Sequence, residues 1–499
     1  MANDEADVVV IGGGPGGLSC AAALAHRGVR TLLLEKNSRI GGKPVTVSRN
    51  GYRYELGPKL QVPMRGPAFA TLFEELGITA RLRPIPLTAA TLSYRPREEA
   101  AYRTLVAPQT GDDPTPLFDL WGLDERERLE AFSMLTQLVM LEGPELEALD
   151  DVSMHDYLQA QLRVPWRLYS YMAMHANASL AEPIDRVAAS EQVRILKDIA
   201  LRGAGGYYRG GFGRVLGDLA AAFRGMGGEI RNAHRVERIR VEHGRVTGVE
   251  TQHGTIRARA VVSSAGIQPT VLELVGPAHF ETGYVKRIRA LEPGWGWASV
   301  RYFLDAPVFQ TGMAMLYSDE SWWDLERARR VSAGHDPDEV IVFLTVPAVF
   351  DPTMAPPGRQ CVISGTICSP DPKAAEIERL HRRVDAMMER VYPDAWRAVV
   401  DREADGPAEI SAATRHAVLP GQGGECVGLG QVVGQCGRHK PKNATPLPGL
   451  YLAGTDAGAA GMGTHQAATS GMVAAAAVLA YLRADSQQFT RGALLPYAS

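Results

Sequence analysis

Val8-Val9-Val10-Ile11-Gly12-Gly13-Gly14-Pro15-Gly16-Gly17 is the stretch that decides how this chain folds. Four β-branched residues in a row suit a strand buried on both faces, where polar and apolar positions need not alternate. The strand runs into glycines that satisfy G-x-G-x-x-G at Gly12, Gly14 and Gly17. Leu18 to His26 reads as an alanine-rich helix closed by Gly28, and Arg30 to Leu34 as a second strand that ends on Glu35. Glycine clusters also serve ordinary turns. Strand, glycines, helix, second strand and acid in this order are what a dinucleotide-binding unit demands. Gly12 permits the tight turn, and Gly14 lets the backbone approach a pyrophosphate. Pro15 and Gly16 complete the loop, and Gly17 lets helix and strand pack closely. The helix N-terminus presents free N–H groups and partial positive charge, and Glu35 can accept hydrogen bonds from ribose hydroxyls.

Working outward, 499 residues leave room for about three domains, or for one large core with an insertion. The composition is that of an ordinary globular protein, 45% hydrophobic and 22% charged. Fifty-three basic against 56 acidic residues give a net charge of −3, which excludes a dominant nucleic-acid-binding surface. Cys20, Cys361, Cys368, Cys426 and Cys436 form no C-x-x-C pair and read as reduced thiols of a cytoplasmic protein. The acidic N-terminus lacks the basic region of a signal peptide. Residues 466–482 carry no charge, but alanine dominates them and Thr469, Ser470 and Gly471 interrupt them. A buried helix is expected there rather than a membrane span.

The next segment separates flavin from nicotinamide. Glu35 is followed by Lys36-Asn37-Ser38-Arg39-Ile40-Gly41-Gly42-Lys43. This resembles the FAD-dependent amine oxidase and phytoene desaturase superfamily, whose ribose-binding Glu precedes a short loop ending in Gly-Gly and a basic residue. The resemblance implies that Arg39, Gly42 and Lys43 lie along the FAD diphosphate and ribityl chain, with Lys36 in the same site. Tyr52-Arg53-Tyr54-Glu55-Leu56-Gly57-Pro58-Lys59 is similar to the family's F-D-x-G-P element, which places Gly57 and Pro58 close to the isoalloxazine ring. Lys59 stands where the desaturases carry a small polar residue. A lysine there can stabilise negative charge at N1–C2=O or anchor a substrate carboxylate, which makes it a catalytic candidate.

At the other end, residues 447–465 resemble the family's second flavin motif. Gly454 and Asp456 then lie on the ribityl chain, and Met462, Gly463 and Thr464 at a helix start face the flavin pyrimidine, where N–H groups favour negative charge. His465 follows as an acid–base candidate. In the middle, the resemblance places the Val236 backbone on the adenine and brings Ala265 and Gly266 to the dinucleotide.

The expected architecture is α/β: a Rossmann-type, glutathione-reductase-like FAD-binding domain with a discontinuous α+β substrate domain. Its segments are 1–83, 205–285 and 425–485 for the first and 84–204 and 286–424 for the second, with 486–499 as a C-terminal tail. Trp295, Trp297, Trp322 and Trp323 are candidates for a pocket wall. No H-E-x-x-H, G-x-S-x-G or spaced Cys/His set occurs, so no metal is expected. One complete G-x-G-x-x-G leaves no second, nicotinamide site. The resemblance implies hydride abstraction from a small hydrophobic or alicyclic substrate to form a C=C bond, with double-bond isomerisation and amine oxidation as the alternatives. Peripheral membrane contact and oligomeric state stay open.

Overall fold

The computed structural model describes residues 4–60, 67–108, 113–203, 205–415 and 419–492. Two seven-stranded sheets organise the chain. In the first, Asp4–Ile11 is central, with Gly254–Ser263 on one side and Thr31–Leu34 then Glu229–Arg231 on the other, all parallel. Gly254–Ser263 is long enough to serve two neighbours along its free edge. Its first half pairs antiparallel with Arg245–Thr251, which in turn pairs with Val236–Glu242, and its end pairs parallel with Leu450–Leu452. Val8, Val9 and Val10 are wholly buried, as a strand covered on both faces requires.

Three helices cover one face: Pro15–His26, Phe212–Gly225 and Gly463–Gly492. The last is long and apolar enough over Gly463–Asp485 to cross a membrane. Here it lies against Pro15–His26, so closely that a Cβ on Gly471 would sit 2.2 Å from the Gly16 carbonyl oxygen. Ala468, Ala474, Ala475 and Val478 are buried in that seam. Small residues set that close approach.

The second sheet runs in the order Val399–Asp405, Gly296–Leu304, Gln360–Cys368, Val342–Thr345, Met313–Ser318, Ala89–Arg95, Arg103–Pro108. Only the Met313–Ser318 and Ala89–Arg95 pair is parallel. Gly296–Leu304 and Gln360–Cys368 are buried along their whole length. Helices Glu125–Met140, Trp166–Leu180, Ala189–Arg202 and Ala374–Val391 share a core with this sheet. Residues 154–162 are helical, beginning as one α-turn, Met154–Asp156, and widening to a π-helical stretch, Tyr157–Leu162. Arg163, left-handed at φ 52°, stops it two residues before Pro165.

Buried charge ties the second sheet to a small separate hairpin, Thr46–Arg49 with Tyr52–Glu55. Arg301 of the second sheet donates to the Leu56 carbonyl at 2.8 Å and pairs with Glu403 and Asp405. The Tyr54 hydroxyl donates to the same Glu403 at 3.0 Å. All five cysteines are free thiols, four of them buried.

Candidate active site

The first turn of Pro15–His26 has no side-chain cap and no acidic residue, which leaves the Gly16 and Gly17 N–H groups without an acceptor among the described residues. Gly12 takes φ +96°, a conformation that a side chain would strain. Gly13 donates its N–H to Glu35 at 2.8 Å, and the other Glu35 oxygen accepts from the Asn37 N–H at 2.8 Å. This fixes the carboxylate at the strand end with lone pairs to spare. The three glycines that follow differ in what surrounds them. A Cβ on Gly14 would meet nothing nearer than the Gly42 Cα at 3.8 Å, so the space over it is open. A Cβ on Gly16 would lie 2.7 Å from the Gly454 nitrogen, and one on Gly17 would lie 2.0 Å from the Gly12 carbonyl oxygen.

Above this loop opens one continuous cavity of about 1900 Å³. Gly12, Gly14, Pro15, Gly16, Glu35, Lys36, Gly42, Lys43, Pro58, Lys59, Val236, Ala265, Gly266, Gly454, Asp456, Met462, Gly463 and Thr464 all line it. Residues from four separate segments therefore converge on a single space. Asp456 accepts from the Ile267 N–H at 2.9 Å and the Leu429 N–H at 3.2 Å, which orients its carboxylate.

Four expected residues stand elsewhere. Gly17 sits behind the loop, between strand and helix. Gly57 is not on the wall; its nearest neighbour across the sheets is the Ser299 hydroxyl, 3.5 Å from where a Cβ would be. Arg39 is exposed and lines a separate surface pocket of about 370 Å³ with Ser48, Arg53 and Asp218. The reason is local: Ile40 packs on the glycine loop, 2.8 Å from a Cβ built on Gly13, and this turns its neighbour Arg39 away. His465 is likewise off the wall, because Gly463, Thr464 and Ala467 occupy the cavity-facing side of that helix. It is buried beside Gly461 instead. None of Trp295, Trp297, Trp322 and Trp323 lines the cavity; Trp297 stands behind Phe343, which does.

Charges of both signs line the cofactor end of the cavity, with Glu35, Glu237, Glu273 and Asp456 as the carboxylates. Lys36, Lys43, Arg235 and Arg415 line it. Burial, with Arg235 and Arg415 nearby, pushes the Lys36 ammonium down to about 8. Lys43 pairs with Glu425 at 3.1 Å and also donates to the Glu425 backbone carbonyl. Arg415 pairs with the same carboxylate and donates to the Ala265 carbonyl at 2.6 Å. Burial pushes the Glu425 carboxyl up, but the two cations more than reverse this and hold it at about 2. Uncapped N–H groups, an open glycine and an acid placed for a ribose fit a dinucleotide with an anionic diphosphate. Arg415 and Glu425 carry no motif and belong to no periodic segment; only the fold brings them to Lys43.

Burial, with a smaller push from Arg202, holds His465 down at about 4. The group is therefore neutral when folded and regains its ordinary 6.5 on unfolding. Between pH 6.5 and 4 the unfolded chain binds the extra proton, so this group lowers stability as pH falls. His465→Gln removes the effect, and its stability relative to wild type should rise by about 1.4 kcal/mol per pH unit on going down through that window. Urea melts of both proteins at pH 7, 6 and 5 measure it. A parallel pair of curves would mean that His465 titrates normally.

The family model described as flavin containing amine oxidoreductase matches residues 15–479. A lycopene-forming phytoene desaturase of Pseudescherichia vulneris is 26% identical, over 96% of this chain and 99% of its own. The mouse pyridine nucleotide-disulfide oxidoreductase domain-containing protein 2 is also 26% identical, over 91% of this chain and 90% of its own. A solved oxidoreductase from Methanosarcina mazei superposes with a TM-score of 0.71 at 18% identity, over 93% of this chain and 98% of that one, and so shares the fold. The converging loops and the match across nearly the whole chain lead to one conclusion: this protein belongs to the flavin-containing amine oxidoreductase family and is an FAD-dependent oxidoreductase.

Proposed function

We propose that the protein removes hydride and a proton from adjacent carbons of a hydrophobic or alicyclic substrate, leaving a C=C bond. The observation that carries this reading is the shape and lining of the cavity. Small-molecule sites usually occupy ~300–1,000 Å³. At about 1900 Å³ this one exceeds what a single cofactor fills and continues between Leu135, Val139, Met174, Met313, Met315 and Phe343. These six side chains offer a cationic amine no counter-charge, which disfavours amine oxidation at that wall; among the described residues Asp113, beside Pro114 and Leu117, is the one carboxylate that lines the cavity between residues 60 and 230. The likeness to a phytoene desaturase supports the same substrate class.

FAD, when bound, supplies the electron-accepting chemistry; the chain's own residues hold the substrate against it and exclude water. Lys59 lines the cavity at the end of the strand Tyr52–Glu55 and acts electrostatically on the buried Glu55. Its positive charge favours the reduced cofactor. Lys59→Met keeps the length and removes the charge, and should lower the flavin midpoint by roughly 30–60 mV, by Coulomb's law at an effective dielectric near 20. Potentiometric titration without substrate measures this, and an unchanged midpoint would return Lys59 to a role in substrate binding or to none.

Anaerobic mixing with polyenes, alicyclic acids and amines tests the reaction. Flavin bleaching by an apolar polyene or alicyclic compound, with a new double bond in the product, is the expected result. Bleaching by amines alone would overturn it. A rearranged double bond without net bleaching would identify an isomerase.

A further inference from the structure

The far wall of the cavity holds two polar side chains that make no hydrogen bond among the described residues. Helix Trp166–Leu180 carries Tyr171 and His175 four residues apart, hence on the same side. Both line the cavity, with ring centroids 6.4 Å apart. Trp121, at 4.8 Å, backs the Tyr171 ring and limits its movement. Among the described residues neither the Tyr171 hydroxyl nor the His175 ring makes a hydrogen bond; His175 Nδ1 is sealed even from the cavity, which leaves Nε2 as the nitrogen that can meet a ligand. Unsatisfied groups of this kind are expensive, and natural cores avoid them unless a ligand or water completes them.

The charge state of the pair narrows the ligand. Burial alone keeps Tyr171 protonated and holds His175 down at about 4, hence neutral at pH 7. The two rings therefore offer a phenol O–H, which donates, and a neutral imidazole, which has one donor and one acceptor nitrogen. Neither carries a charge to compensate a carboxylate or an ammonium. Both match a hydroxyl or carbonyl oxygen.

We propose that Tyr171 and His175 form a subsite for a neutral oxygen function, hydroxyl or carbonyl, on an otherwise apolar substrate. This rests on the apolar-substrate reading above and sharpens it: the preferred molecule is an oxygenated lipid-like compound rather than a pure hydrocarbon. The two side chains act as specificity and positioning residues, because they fix how far the apolar chain slides along the cavity.

Calorimetric titration of the flavin-loaded protein with geranylgeraniol, and with the same chain lacking its hydroxyl, tests the proposal. The alcohol should bind about tenfold tighter or more, the scale of one to two buried hydrogen bonds. Tyr171→Phe and His175→Leu, each checked for full flavin content and an unchanged melting temperature, should each reduce that ratio several-fold, and the double variant should bring it to about one. The hydrocarbon's own affinity should hold or improve, which a merely structural role for these residues would not produce. Equal affinities in wild type would overturn the subsite and leave the apolar-substrate reading standing. A preference that survives in both variants would overturn the assignment to these two residues. Failure of both chains to bind would overturn the apolar-substrate reading itself, and the subsite with it.

Discussion

Gly14→Val yields a folded protein that purifies without flavin. Gly14 has φ −78° and ψ −178°, an extended conformation that any residue can adopt. A Cβ there meets nothing within 3.8 Å, so the substitution costs the bare protein little. The valine methyls enter the cavity over the uncapped start of Pro15–His26, which is the volume a diphosphate must occupy. Overpacking of about 1–3 kcal/mol corresponds to roughly 5- to 150-fold weaker FAD binding, with further loss from the blocked N–H groups. Gly16→Val provides the contrast. Its Cβ would press on the Gly454 nitrogen at 2.7 Å and on the Ala467 carbonyl oxygen at 3.2 Å, so this variant should lose stability as well as cofactor. Flavin content by absorbance and melting temperature by circular dichroism separate the two behaviours. Wild-type FAD affinity in Gly14→Val would remove this loop from the cofactor site.

Glu425→Gln should destabilise the protein by about 3–5 kcal/mol, the usual cost of leaving buried cations without their counter-charge. The Glu425 side chain is 3% exposed and serves both Lys43, at 16%, and Arg415, at 19%. Its loss strands both in the cavity wall. Double replacement, Lys43→Met with Glu425→Gln, removes one of the stranded charges and should recover part of the loss. The acid dependence follows from the same pairing. The Glu425 carboxyl titrates at about 2 when folded and near 4.5 when not. The stabilisation is therefore complete above pH 4.5 and disappears as pH falls toward 2, where the folded carboxyl finally takes a proton. Chemical denaturation of the flavin-loaded proteins between pH 7 and 3 measures both. If wild type and Glu425→Gln differ by less than 1 kcal/mol at pH 7, the ion triad is not what joins these segments.

How much of this could be read without coordinates depended on how local the physics was. The dinucleotide loop was legible because its strand, glycines, helix and acid all fall within the 28 consecutive residues from Val8 to Glu35. The same holds for the helix after Thr464, whose small residues announce a close helix–helix seam with Gly471 against Gly16. Reading by family pattern was less secure where one neighbour could redirect another: Ile40 takes the inward position and turns Arg39 to the surface, and three residues of one helix face displace His465 from the cavity.

The chain by itself determined that a phosphate-cradling α/β unit exists, that it is completed from the far C-terminal end, and that no protein nucleophile or metal motif competes with the cofactor. Periodicity and turn chemistry operate over a few residues, so they reach no further. Only the tertiary structure decided that Arg415 and Glu425 meet Lys43 across more than 370 positions, and that Tyr171 and His175 line the cavity with no hydrogen-bond partner among the described residues. Those juxtapositions depend on how two sheets pack against each other, a property of the whole buried surface that no segment encodes alone.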